Sequence, residues 1–183
     1  MRRILTLYFI LIFTSCNKAT KTLEFNKFEI EVPNSWHKIA KAGIDSQVGE
    51  IAIDYNDTLY FDLGWYSNEL AEDKPYLVKG KRVHLINREK STDNSTVYDY
   101  YGLLDTINLK KFLKNEYIYV TIDNKRAKIV SPKKYEQGMT GVYFDSLWVR
   151  GSGIDRFQLN GNNLKEQNQK ALLNAIRTIK FKK

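Results

Sequence analysis

The first sixteen residues constrain the rest of the chain more than any other feature. Met1-Arg2-Arg3 is a cationic start, Ile4 to Phe13 is apolar except for Thr6, and Thr14-Ser15-Cys16 closes the run. A charged start, a short apolar core and small residues before a cut are the three parts of a secretory signal. Crossing a bilayer takes about 20 apolar residues, and this run has half as many. The stretch therefore reads as a leader, not as a membrane span or a buried first helix of the domain. Polar Asn17-Lys18 follows it directly.

This reading divides the chain into a leader (1–15), Cys16 with a polar tether (16–22) and one globular domain (23–183). Losing the leader leaves 168 of the 183 residues, enough for one domain with a sizeable core. The leader holds Arg2 and Arg3 and no acid, so the net charge of +8 falls to +6. The excess is spread in short groups such as Lys79-Gly80-Lys81-Arg82 and Lys110-Lys111, which read as solvated faces and turns. Such groups also suit contact with anionic head groups beside a membrane. No recognition motif accompanies the charge, which excludes nucleic acid as an expected partner. Cys16 is the single cysteine. If it carries lipid, the domain has no thiol, and disulfides, thiolate metal sites and a cysteine nucleophile are excluded.

Thr14-Ser15-Cys16 resembles the lipobox of bacterial lipoproteins, whose usual form is Leu, a small residue, Gly, Ala or Ser, and then Cys; here Phe13 stands where Leu is usual. The resemblance implies a diacylglycerol on the Cys16 thiol and an acyl chain such as palmitate on its new amino group. Two such signals give stable anchoring where one chain does not. It also implies a cell-envelope location, expected at the outer membrane facing the periplasm.

Along the domain, period-two alternation dominates. Leu23 to Val32 is expected to be one strand, with Phe28, Ile30 and Val32 on its buried face and Pro33 ending it. Asn34-Ser35 is expected to cap a helical turn that carries Trp36 and Ile39 inward. Glu50 to Tyr55 and Thr58 to Leu63 form a hairpin across Asn56-Asp57, and Tyr117 to Asp123 pairs with Arg126 to Val130 across Asn124-Lys125. Val142 to Val149 and Arg156 to Leu159 are further strands. Near the end, Asn163 and Glu166 are spaced as a capping box before a helix whose stripe is Leu164, Ala171, Leu172, Ala175, Ile176 and Ile179. Thr178 to Phe181 can fold back as a terminal strand.

Two stretches carry a second resemblance. Phe28-Glu29-Ile30-Glu31-Val32-Pro33-Asn34-Ser35-Trp36, together with the capped helix running into Ile179-Lys180-Phe181, is similar to the PsbP-like superfamily and to small lipoproteins of Bacteroidota. The resemblance implies an α+β fold, a central antiparallel sheet flanked by helices in an α/β/α sandwich. Members of the superfamily mostly bind other proteins, and none of their functional residues carries over to this sequence.

Candidate chemistry is sparse. His37 and His84 lack a zinc-ligand spacing, and Gly151-Ser152-Gly153 is not a nucleophile elbow. Asp45, Asp62 and Asp145, like Asp54, lie in or beside apolar strands, and two of them meeting in a cleft would form an acidic site for acid–base work. Trp65, Tyr66, Tyr143 and Trp148 are amphipathic rings suited to a binding platform for a peptide or a sugar. No cofactor and no metal is expected. The sequence thus points to a lipid-anchored, non-catalytic envelope domain whose partners are the membrane and an envelope protein or glycan. A carboxylate-based glycan hydrolase and a carrier of a small apolar ligand are the alternatives. Replacing Cys16 by Ser is expected to move the protein from the membrane pellet to the soluble fraction. A mutant that stays in the pellet contradicts the anchor.

Overall fold

The computed structural model describes residues 19–39, 41, 43, 46–72, 76–78, 82–85, 96–99 and 108–182. Cys16 and Asp45 lie outside the described residues. The first strand begins inside the segment assigned to the tether. β1 (Thr20–Glu24) and β2 (Phe28–Pro33) form an antiparallel hairpin where the sequence suggests one long strand. Phe25 turns the chain, its N–H donating to the Phe28 carbonyl at 2.8 Å and its ring stacking on Phe28 at 4.5 Å.

After Pro33 the chain turns at Asn34-Ser35, and the Trp36 N–H bonds back to the Pro33 carbonyl at 3.0 Å. This is a turn and not the expected helix. Trp36 is buried, but Ile39 sits exposed on β3 (His37–Ile39). β4 (Gln47–Ala52) and β5 (Thr58–Gly64) follow as a hairpin. β6 (Tyr76–Val78), β7 (Arg82–Leu85) and β8 (Thr96–Asp99) pair as a separate three-stranded antiparallel sheet. A short 3-10 helix (Leu109–Phe112) leads into β9 (Asn115–Ile122) and β10 (Lys125–Pro132). Their turn is Asp123-Asn124, one residue earlier than expected. Both residues have positive φ (47° and 57°), which suits the right-handed twist of a two-residue hairpin.

β11 (Met139–Arg150) and β12 (Gly153–Asn162) are the longest strands, joined through Gly151 at φ 62°. They occupy the middle of a seven-stranded sheet with the order β3-β4-β5-β12-β11-β10-β9. α1 (Glu166–Ile176) and β13 (Lys180–Phe181) complete the chain, and β13 pairs with β2. The fold-back of the last strand is as the sequence suggests. The helix start is not. Its first turn has no side-chain cap, and Asn163 instead adopts φ 53° and accepts the Gly138 N–H at 2.8 Å.

These elements make two layers. The inner face of the seven-stranded sheet carries Leu59, Phe61, Leu63, Ala127, Ile129, Val142, Phe144, Phe157 and Leu159, all buried. Over it lie the β1-β2-β13 sheet, bringing Phe28, Ile30 and Val32, and the Leu172, Ala175 and Ile176 face of α1. Fully burying an aliphatic or aromatic side chain contributes roughly 1.5–3 kcal/mol, so this face is where the fold gains its stability. The expected helix-flanked α/β/α sandwich is therefore corrected. More than half of the described residues are strand, and they hold a single α-helix. The small sheet and α1 cover the same face, and among the described residues no helix covers the other. The helical turn expected after Pro33 is absent as well: residues 34–39 are too short to nucleate a helix, and His37–Ile39 pairs as an edge strand instead.

Candidate functional site

The outer face of the seven-stranded sheet is built very differently from the inner one. Strand register sets Tyr119 beside Lys128, Lys128 beside Tyr143, Tyr143 beside Gln158, and Gln158 beside Asp62. Five strands thus lay one polar row across the sheet. β10 shows why: Ala127 and Ile129 point to the core, so Arg126 and Lys128 must point away from it. Gln158 is buried, and neither its Oε1 nor the Asp62 Oδ1 has a hydrogen-bond partner among the described residues.

The chain leaving β5 comes back to this face. Ser67 and Leu70 are buried, Leu70 at a left-handed φ of 51°. The Glu72 carboxylate then accepts the N–H groups of Lys114 and Asn115, the latter at 2.8 Å. Between this segment and the sheet lies a pocket of about 150 Å³ lined by Glu69, Tyr119, Arg126, Lys128, Tyr143 and Asp145. The Arg126 guanidinium lies over the Tyr119 ring at 4.2 Å, and the Lys128 ammonium sits 5.7 Å from the Tyr117 ring and 6.0 Å from that of Tyr143. Burial lowers the pKa of Lys128 while Glu69 opposes it. Burial also raises that of the Tyr143 hydroxyl, Arg156 opposing and Asp145 and Glu69 adding to the rise.

Two of the sequence-predicted residues, Tyr143 and Asp145, meet in this pocket. Trp65 and Tyr66 lie beyond it, stacked at 6.0 Å and strongly exposed, with the Trp65 ring over Gly153. Arg156 links the two places, reaching the Trp65 carbonyl at 3.4 Å and acting on the Tyr143 hydroxyl. Trp148 belongs elsewhere. It packs on the core side, edge-on to Phe181 at 5.9 Å, so the four-ring platform splits across two faces of the sheet. Asp62 and Asp145 share a face but stand on β5 and β11 with β12 between them. Glu69, Arg126 and Lys128 were not singled out from sequence. The alternation of β10 marks the two cations as outward-facing, but Glu69 lies in irregular chain with no periodicity to reveal it.

The outer edge is β9, whose sole partner among the described residues is β10. Ile122 and Lys125 flank the two-residue turn and form its hydrogen-bonded pair, so Tyr117, Tyr119 and Thr121 turn their backbone groups away from β10. Tyr117, Ile118 and Tyr119 are each more than half exposed.

A second concavity, an open groove of about 820 Å³, runs past Ala19, Pro33, Trp36, Tyr55 and Ala171. Asp54 anchors its floor. One oxygen accepts the N–H groups of Asn56 and Asp57 at 2.8 and 2.7 Å, and the other takes the Asn168 amide at 2.7 Å with Lys165 3.6 Å away. The Asn168 amide also reaches Asp57. The loop and the helix are thereby locked together, and this explains Asp54 as a structural carboxylate. Among the described residues no group of His, Cys, Asp or Glu is placed to hold a metal, and no helix is long and apolar enough to cross a membrane. No family model, curated protein or solved structure matches the chain.

The backbone N–H of Asn56 leads the hydrogen bonds that lower the Asp54 pKa from its ordinary 3.8 to about 2. Its stabilising contribution is therefore complete above the unfolded value and is lost as the pH falls toward the folded one. Thermal melts of wild type and Asp54→Asn should differ most above about pH 4 and converge as the pH drops to about 2. A gap that stays constant over that range contradicts this role.

Proposed function

We propose that the protein is a lipid-anchored binding domain of the cell envelope, held by Cys16 at the outer membrane and facing the periplasm. Its binding surface is the outer face and free edge of the seven-stranded sheet, and its partner is an envelope protein or glycan. The observation that carries this reading is the exposure of Tyr117 and Tyr119 beside a polar pocket, with the exposed Trp65–Tyr66 stack beyond it. Leaving such side chains in water forgoes the burial available elsewhere in the fold, and clustered exposed rings supply rigid contact area to a partner. The leader supports the location. From Cys16 to Ala19 the chain can extend only about 10 Å, so a lipid there would hold the domain close to the bilayer surface.

A photo-crosslinking side chain placed at Trp65 or Tyr119 in intact envelopes should give discrete adducts. The same probe at Asn174, exposed on α1, should give none. Equal labelling from all three positions, or none from the first two, contradicts the assignment of this face.

A further inference from the structure

The outer-face pocket gathers charges of both signs that do not pair with one another. Glu69 and Asp145 bring two carboxylates, Arg126 and Lys128 two cations. Among the described residues none of the four forms an ion pair within 4.0 Å. Opposite charges on flexible side chains in so small a space collapse onto each other unless they are held apart. Here the cations are held by rings, Arg126 by Tyr119 and Lys128 between Tyr117 and Tyr143. Asp145 sits where the β11–β12 register shifts between Phe144 and Trp148, an irregularity of the kind that re-aims side chains beside sites. Glu69 is placed by the buried, left-handed Leu70 that follows it.

Size narrows what can enter. A volume of about 150 Å³ corresponds to roughly five waters at about 30 Å³ each. A molecule of about five or six heavy atoms fills a space of that size. A lone anion there would face two carboxylates, and a lone cation two basic groups. A neutral polyol would leave all four charges without a counter-charge.

We propose that this pocket binds a small zwitterion, an α-amino acid of glycine or alanine size, with its carboxylate on Arg126 and Lys128 and its ammonium on Glu69 and Asp145. The inference rests on the reading of this face as the binding surface and gives that surface a ligand. Charge-assisted hydrogen bonds of this kind are about twice as strong as neutral ones, and they form only if both ends of the ligand carry charge. The partly buried Lys128 ammonium, disfavoured by desolvation, gains most from an arriving carboxylate.

The test is a calorimetric and amide-NMR titration of the whole mature chain with glycine, L-alanine, N-acetylalanine and alaninamide. Glycine and alanine should bind saturably and shift the amides of Lys128 and Asp145. Blocking either end should weaken binding by about tenfold or more, as should Lys128→Met and Asp145→Asn in chains whose spectra stay dispersed. Equal binding of N-acetylalanine or alaninamide overturns the proposal, because the site then reads one charge alone. Absence of any shift in the wild type with glycine and alanine overturns it too, independently of how the variants fold. In that second case, crosslinks retained at Trp65 and Tyr119 leave the binding surface standing, and their loss removes it as well.

Discussion

A cluster of aromatic rings joins the two layers of this molecule. Phe28 of β2 meets Phe61 of β5 at 5.0 Å and Phe157 of β12 at 4.7 Å, with Phe25 and Phe181 closing the cluster from either side. The small sheet is otherwise only three strands, and β13 supplies two residues of it. Such a sheet has little independent stability and needs a partner face. The larger sheet yields space for it. Gly49 stands opposite Phe61, and a Cβ there would come within 2.5 Å of the ring. Most of the apolar surface on the inner face is therefore committed to holding the fold.

That commitment leaves the outer face free for other work. Because side chains alternate, each inward Ala127 or Ile129 obliges an outward Arg126 or Lys128. The polar row from Tyr119 to Asp62 is the reverse side of the core. Chain leaving β5 then folds back over this row and encloses the pocket, with the Glu72 carboxylate fastening it to the start of β9. A pocket of this construction has a rigid floor, set by sheet register, and one wall of irregular chain. Positioning groups on a sheet in this way keeps their geometry fixed before a ligand arrives.

Much of the sheet is legible in the sequence because strand pattern is local. The alternation in Tyr117 to Asp123 and in Phe28 to Val32 marks real strands, and Ile179 and Phe181 mark the returning end. What the pattern cannot show is which faces meet. Leu23 to Val32 looks continuous because Phe25 is apolar, yet that ring turns the chain in order to stack on Phe28. Asn163 has the composition of a helix cap but is taken by Gly138, a partner 25 residues away. Helices do not flank both sides of the sheet as expected: α1 and the small sheet, made of strands from the two ends of the chain, share one face, and the other face is polar. Trp148 and Tyr143 look equivalent as aromatic residues of one strand, but five positions apart they point to opposite faces by alternation, and the two-residue register shift beyond Phe144 leaves that parity unchanged. Glu69 carries no local signal at all, since its place depends on the path back from β5.

The small sheet and the large one must open together, since the same rings belong to both. Native-state hydrogen exchange measures this most directly. The amide of Ile30 in β2 and that of Leu159 in β12 should exchange only through global unfolding, with the same free energy of opening, while outward-facing Tyr119 on β9 exchanges far more readily. Exchange of Ile30 through a separate opening of much lower free energy than Leu159 would contradict the single shared core.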